Sequence, residues 1–407
     1  MLKLPDEEKS YWRAVSSHSP YPRLSESLEV DVAIVGGGIC GLTTAYLLKQ
    51  SGLSVAVLEK GTIGSGTTGQ TTGKVTSQHN IVYEDLLERL GEKAARAYGE
   101  ANQTAIDQIE DIIKREKIDC GWTRDDNYVY TTKPEQVKRF KSEAETAARL
   151  GLPATFTART PLPFDTKAAV KFINQAKFNV LEYITGLARA VDGQGSYIFE
   201  NSSATSIRDG EPGGVGTKDA RVTAKNIVVA TNVPTFPLIA RGAYCMLEYP
   251  TTSYIVAIPM KKKFEGMYIS PDEGSYSIFP VTFDKEQLLF VGGENHIPGL
   301  AKAEEKYQKL AAFAEEKFDA KEVRYKWRAR DYLAYDGVPL VGKMYPWSKN
   351  LYVATAFKKW GLTNTMAAAM ILRDTILGGS NPWAETFKAL RLSPVGSIPR
   401  VAAKYLR

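Results

Sequence analysis

The 407-residue chain is poor in the residues that build metal centres and disulfide scaffolds. It has three cysteines, Cys40, Cys120 and Cys245, and three histidines. No cysteine belongs to a C-x-x-C pair or sits beside a histidine. This excludes a disulfide framework and a thiolate zinc or iron–sulfur site, and no metal is expected. No run of about 20 uncharged apolar residues occurs, so no membrane span is expected. The start, Met1-Leu-Lys-Leu-Pro-Asp-Glu-Glu-Lys, lacks the apolar core of a signal peptide, and a cytoplasmic protein is expected. The net charge of +6 is not gathered into any basic block, so nucleic acid is not an expected partner. Internal repeats and low-complexity tracts are absent. What remains is an ordinary globular balance, 43% hydrophobic and 24% charged, with length for about 2–3 domains.

One stretch organises the rest: Asp31-Val-Ala-Ile-Val-Gly36-Gly37-Gly38-Ile39-Cys40-Gly41-Leu-Thr-Thr-Ala45. Val32 to Val35 is the apolar run of a buried parallel strand. Gly36, Gly38 and Gly41 supply G-x-G-x-x-G, and Leu42, Ala45, Leu47 and Leu48 predict a helix after the turn. The first glycine permits the sharp turn, the second the approach of a pyrophosphate, and the third close helix–strand packing. The helix N-terminus favours the negative phosphates. Gly52 closes this helix, Val55-Ala-Val-Leu-Glu59 is a second strand, and Glu59 lies 23 residues past Gly36. That spacing suits the acid that accepts ribose hydroxyls, and it favours a free 2′-hydroxyl. These residues point to an adenine dinucleotide and leave FAD and NAD both open.

Residues 1–28 form an irregular lead-in whose Tyr11, Trp12 and Tyr21-Pro22 can pack onto the first domain. The Gly-, Thr- and Ser-rich stretch from Gly61 to Ser77 has no apolar periodicity. It follows the second strand at the edge where open α/β sheets bind ligands, so it is expected to hold cofactor. Residues 83–117 are helical, 120–130 a strand, 134–150 a helix closed by Gly151, 169–178 alternating, and 181–191 helical. Arg221 to Asn232 is a strand entering a polar turn. Residues 246–259 and 266–295 alternate as an antiparallel meander, with turn signals at Gly274, Asp284-Lys285 and Gly292-Gly293. Residues 301–318 form an amphipathic helix. Asp336 to Gly342 and Leu351 to Thr355 return to buried strands, and the helix Asn364 to Leu377 follows Lys358-Lys359-Trp360-Gly361-Leu362-Thr363.

The opening unit with Glu59, the 64–74 loop, the strand end Ala230-Thr231 and the segment from Asp336 to Ala369 together resemble the FAD-dependent amine and amino-acid oxidoreductases. These include D-amino-acid oxidase, glycine oxidase, sarcosine oxidase and gamma-glutamylputrescine oxidase. The phrases Thr68-Gly-Gln-Thr-Thr72, Val75-Thr-Ser-Gln-His79, Gln175-Ala-Lys-Phe178 and Lys359-Trp-Gly-Leu-Thr363 are most similar to a bacterial subgroup fused to a C-terminal Rieske domain. No Cys/His ligand pairs exist here for that cluster, so the Rieske domain is expected to be missing.

The resemblance implies an α/β fold: a discontinuous Rossmann-type FAD-binding domain with an inserted α+β substrate domain on an antiparallel sheet. The expected partition is 24–80, 168–240 and 328–380 for FAD, and 81–167 and 241–327 for substrate. Residues 1–23 and 381–407 are terminal extensions. The cofactor contacts it implies are Gly36, Gly38, Ile39, Cys40, Gly41, Glu59, Lys60, Thr67, Thr68, Gln70, Thr71, Thr72, Gly73, Lys74, Ala230, Thr231, Trp360, Gly361, Leu362 and Thr363. The helix after Trp360 would stabilise negative charge at flavin N1. In some relatives a histidine of the loop bonds covalently to the flavin. Gln70 stands there and cannot, so FAD is expected to be non-covalent. Asn179-Val180 replaces a His-Pro or Asp-Pro, and Ala354-Thr355-Ala356 replaces Ala-Thr-Gly, whose added methyl is expected near the cofactor.

The implied reaction takes a hydride from a C–H beside nitrogen to flavin N5, with an amine or amino acid as substrate. Oxygen, a quinone or a separate electron carrier is the acceptor, and an oligomer is possible. Such chemistry needs no strong acid or base, and none is evident. Lys74, Lys358 and Lys359 are candidate cations near the ring, although surface lysines are common. Tyr254, Tyr276 and Arg330 are candidates for the substrate pocket, and His296 for a base; His18 and His79 are weaker. Two alternatives remain: a biosynthetic flavin dehydrogenase acting on a specialised metabolite, motivated by Gln70, Asn179 and Ala356, and a flavin-binding partner subunit without turnover.

Overall fold

The computed structural model describes residues 2–17, 20–234, 238–260, 264–283 and 286–405. His18 and the Asp284-Lys285 turn signal lie outside the described residues. Two sheets organise the chain, one of eight strands and one of nine.

The eight-stranded sheet is seeded by the apolar run. Leu28–Val35 pairs in parallel with Val55–Leu58 on one side and Arg221–Val229 on the other. Tyr197–Phe199 and Leu351–Thr355 extend it in parallel, and Leu340–Lys343 closes one edge antiparallel. Val32, Ala33 and Ile34 are buried, as strands covered on both faces must be. The helix Ile39–Gln50 follows the glycine turn and packs against Val180–Val191 and Gly361–Ile376. Ala367, Ala368 and Ala369 are fully buried, and their small side chains let the helices approach closely.

The nine-stranded sheet runs Tyr325–Ala334, Glu248–Pro259, Glu286–His296, Ser277–Phe283, Met267–Ile269, Thr123–Thr131, Ala168–Lys177 and Lys74–Val75, with Ala154–Thr157 beside Ala168–Lys177. Its ladders are antiparallel except Met267–Ile269 with Thr123–Thr131, which the long intervening crossover makes parallel. The helix Ala303–Phe318 covers one face, burying Tyr307, Leu310, Ala311 and Ala314. The helical stretch Tyr83–Arg115 breaks at Gly91, whose φ of 80° is not helical.

Three findings correct the sequence expectations. Residues 74–75, 168–177 and 328–334 pair into the nine-stranded sheet, although the expected partition placed them with the dinucleotide segments. Backbone hydrogen bonding, which composition does not show, decides that membership. The lead-in does not rest on the surface: Tyr11–Val15 is a short helix, and Tyr11 and Trp12 are buried against Phe290, with Tyr325 and Phe283 beside them. Ala356 is buried among the residues behind the parallel sheet, so its methyl packs into that core instead of narrowing the site. Among the described residues no helix is long and apolar enough to cross a membrane.

Candidate functional site

A cavity of about 1690 Å³ runs between the two sheets. Its floor at one end is backbone. Gly36 has φ 116°, and a Cβ there would stand 2.5 Å from the Ala230 carbonyl oxygen. A Cβ at Gly41 would stand 1.9 Å from the Gly36 carbonyl oxygen, so the turn and helix close only on glycine. Gly36, Gly38, Ile39 and Cys40 line the cavity. Gly38 caps the helix without a side chain, which leaves the N-terminal turn facing the space. The Ile39 amide donates to Thr68 Oγ1 at 3.1 Å. Burial pushes the Cys40 thiol up to about 12, so it stays a protonated, inert group.

Glu59 lines the same end. Its carboxylate accepts from the Gly37 amide at 2.8 Å and from the Gly61 amide at 2.9 Å, which fixes the acid beside the glycine turn. Lys60, Thr67, Thr68, Gln70, Thr71 and Thr72 also face the cavity, as do Ala230 and Thr231 across from them.

The 64–74 loop is held by four side chains. Ser10 Oγ donates to the Gly69 carbonyl at 2.6 Å, Trp12 Nε1 to Thr71 at 2.8 Å, Trp327 Nε1 to Gln70 at 2.9 Å, and Arg13 to Ser65. These carbonyls are tied by donors from the N-terminal lead-in and from the strand Tyr325–Ala334, and Ser10, Arg13 and Trp327 themselves line the cavity. Ser10, Arg13 and Trp327 were not expected at the site. The paired aromatics at 11–12 were the one signal that the lead-in is more than a tail.

At the far end the wall is made of side chains. Lys74 is buried, and its Nζ donates to the Tyr268 carbonyl at 2.6 Å and to Ser277 Oγ at 2.7 Å. Burial lowers its pKa to about 7. Tyr254 and His296 meet here: Tyr254 Oη donates to Nε2 at 2.9 Å, while Nδ1–H donates to the Ile297 carbonyl at 2.7 Å. The exposed Arg330 lines the mouth, and its own carbonyl accepts from Thr67 Oγ1 at 2.8 Å. Lys358 and Lys359 both have positive φ, 54° and 67°, and both line the cavity. Next to them, desolvation pushes the Asp331 carboxyl up to about 6 against the pull of Lys359.

Trp360, Gly361 and Leu362 bring the start of the helix Gly361–Ile376 to the wall, again without a side-chain cap. His79 supports this end. Its ring stacks on Trp360 at 5.0 Å, and its Nε2 is 2.8 Å from the Thr76 carbonyl and 3.1 Å from Thr363 Oγ1. Burial, with Lys358 nearby, lowers its pKa to about 3, so it is a neutral structural ring.

Four expected site residues stand behind the wall. Gly41 and Gly73 pack against backbone, and Thr363 Oγ1 donates to Thr76. Tyr276 turns away and stacks on Phe313 with centroids 3.9 Å apart. Its neighbours Ser275 and Ser277 face the cavity instead. Asn179 caps the helix Val180–Val191, accepting from the Leu181 amide at 3.0 Å, which accounts for asparagine there. Thr251, Thr252, Arg328, Asp331 and Asn232 are cavity residues that the sequence did not single out.

The glycine cradle, the anchored acid, two uncapped helix starts and a long cleft fit an adenine dinucleotide carrying a ring system. Comparison with known proteins agrees. Residues 31–375 match the family of FAD dependent oxidoreductases. A Bacillus subtilis protein described as a Rieske 2Fe-2S iron-sulfur protein is 34% identical over 386 residues, 94% of this chain and 75% of that protein. Gamma-glutamylputrescine oxidoreductase of Escherichia coli is 25% identical, covering 97% of this chain and 94% of the relative. The crystal structure of glycine oxidase from Geobacillus kaustophilus superposes with a TM-score of 0.74 at 19% identity, over 89% of this chain and 99% of that one. With its glycine turn, its acid and nearly its whole length matched, this chain belongs to the FAD-dependent oxidoreductases.

Proposed function

We propose that the protein oxidises the C–N bond of an amine or amino acid to the imine, with non-covalently held FAD. The observation that carries this is a single cavity joining the dinucleotide turn at Gly36 to a side-chain wall at Lys74, Tyr254 and Arg330. The relatives' names add weight, since they include gamma-glutamylputrescine oxidoreductase and glycine oxidase. Bound FAD supplies the two-electron acceptor.

The chain's own groups do the rest. Gly36, Gly38 and the start of the helix Ile39–Gln50 would hold phosphate, and Glu59 would accept ribose hydroxyls. The uncapped start of the helix Gly361–Ile376 would favour negative charge on a ring held against it. Lys74, fixed by Tyr268 and Ser277, presents a nitrogen that is cationic below about pH 7. Tyr254, held by His296, and Arg330 orient the substrate; Arg330 suits a carboxylate. Trp327 and Ile255 exclude water from the imine. Gln70 lines the cavity but offers no nucleophilic nitrogen for a covalent link. Of the three departures behind the specialised-metabolite reading, Asn179 is a helix cap and Ala356 packs in the core, so the substrate wall gains nothing from either. Low cysteine use, with all three thiols free, fits a cytoplasmic site of action.

The test is the visible spectrum of the purified protein during anaerobic addition of an amine and amino-acid panel, followed by acid precipitation. A yellow protein that bleaches with one panel member and releases its flavin supports the reading. A flavin that no member bleaches removes the amine substrate class, and flavin retained in the pellet removes the non-covalent link.

A further inference from the structure

Glu248 is only 3% exposed and lies behind the cavity wall. Its Oε2 is 2.8 Å from Thr355 Oγ1, and that hydroxyl is 2.6 Å from the Asn232 carbonyl oxygen. A hydroxyl has one proton to give, and a carbonyl oxygen has none. If Thr355 donates to Glu248, two bare oxygens face each other across 2.6 Å. If Thr355 donates to Asn232, the contact with Glu248 requires a proton on the carboxyl. The second arrangement is the only one that satisfies both contacts. Glu248 Oε1 is buried and has no hydrogen-bond partner, which an ionised carboxylate would make costly.

The surroundings agree. Burial pushes the Glu248 carboxyl up to about 8. The titratable groups around it are Tyr244 on the helix Leu238–Cys245, with Tyr345 and Arg391 beyond it, and Tyr335 and Cys245 near the start of the strand. Arg391 is held by Asp336 at 2.7 Å. The phenols of Tyr244 and Tyr335 are raised by burial.

The bond matters because of what hangs from it. Asn232, at φ 70°, ends the Ala230–Asn232 turn, and all three residues line the cavity. In front, the Ala230 carbonyl presses on Gly36; behind, Thr355 holds the Asn232 carbonyl. The Asn232 side chain continues the chain to Thr67 Oγ1 at 3.2 Å, and Thr67 donates to the Arg330 carbonyl at 2.8 Å.

We infer that Glu248 is carried as the neutral acid and is a positioning residue for FAD, donating to Thr355 so that Thr355 can fix the Asn232 turn against the glycine turn. Ionising Glu248 turns the Thr355 proton towards the carboxylate and releases the Asn232 carbonyl.

The experiment measures FAD dissociation by flavin fluorescence from about pH 6 to about pH 9.5 for the wild type, Glu248→Gln and Glu248→Leu. The wild type is expected to lose affinity above about pH 8, by up to about tenfold per pH unit. Glu248→Gln replaces the acid O–H with an amide N–H; it should bind within about twofold of the neutral-pH wild type and stay flat. Glu248→Leu should be weak at every pH. An unchanged alkaline fall in Glu248→Gln, or neutral-pH binding as weak as in the leucine variant, overturns the proposal. Should the leucine variant not fold, the glutamine profile decides alone. The infrared carbonyl band of a protonated carboxylic acid, present in the flavin-free wild type at neutral pH and lost in Glu248→Gln, reads the proton independently of FAD. Its absence from the wild type overturns the proposal as well.

Discussion

Below Gly36 the cavity wall is backbone: glycines without side chains, an uncapped helix start, and amides anchoring the Glu59 carboxylate. Between Lys74 and Arg330 the wall is side chains standing on strands of the nine-stranded sheet, with Lys74 held by two hydrogen bonds and Tyr254 by one to His296. A backbone wall has no slack, because moving it means moving a strand and a helix together. A side-chain wall can be rewritten one residue at a time. The family can therefore hold one cofactor while its members' names report different substrates.

Substitutions at the two ends should differ accordingly. Gly41→Ala places a methyl 1.9 Å from the Gly36 carbonyl oxygen. It should cost about 3 kcal/mol or more and leave the protein without flavin, read by thermal unfolding and flavin content. A melting temperature equal to wild type would remove the distinction between the two walls.

Lys74→Met, at the other end, should retain flavin but lower kcat/KM about 10–100-fold. The pH profile sharpens this. The Lys74 nitrogen is charged below about pH 7 and neutral above it, so a rate that depends on the cation falls as pH rises through 7. The variant should lack that limb. Stability runs the other way. The folded state binds fewer protons than the unfolded state between about pH 7 and the usual lysine value near 10.5, so wild-type stability rises with pH across that window. Lys74→Met should thus be more stable than wild type near neutrality, with the gain shrinking towards pH 10.5.

Glu59→Gln turns an amide group towards the Gly37 or Gly61 N–H. FAD affinity should fall about tenfold, roughly 1.4 kcal/mol, with KM for the amine unchanged. The smallest effect is close to zero. Ala356 has φ 63°, where glycine rests without strain, but its methyl is fully buried. Strain relief and lost burial, each about 1 kcal/mol, offset each other, so Ala356→Gly should change stability by less than about 1 kcal/mol in denaturant unfolding with kcat unaltered.

The same contrast decides what the sequence disclosed. Gly36, Gly38, Gly41 and Glu59 sit within one strand–helix–strand unit, so spacing alone located that wall. On the strands, alternation names a face but not which face meets the cavity. Tyr276 and Ser277 point opposite ways, and the aromatic ring takes the side where Phe313 buries it, leaving the cavity to serine. Glu248 and Thr355 stand 107 residues apart, and no local pattern joins them. Sheet membership of 168–177 and 328–334 was hidden for a similar reason, since a strand's partner is chosen by the tertiary fold.

The ties on the 64–74 loop also bear on synthesis. Ser10, Trp12 and Arg13 leave the ribosome before the loop they hold, yet the loop is not fully held until Trp327 emerges, and the wall is incomplete until Leu362. Leu28–Val35 likewise waits for Arg221–Val229 before one of its edges is paired. A nascent chain has the phosphate-binding turn early but no enclosed cleft to go with it. Flavin loading therefore waits until the segment around Leu362 has been made, and a chain stalled before it presents an open apolar strand edge in place of a cofactor site.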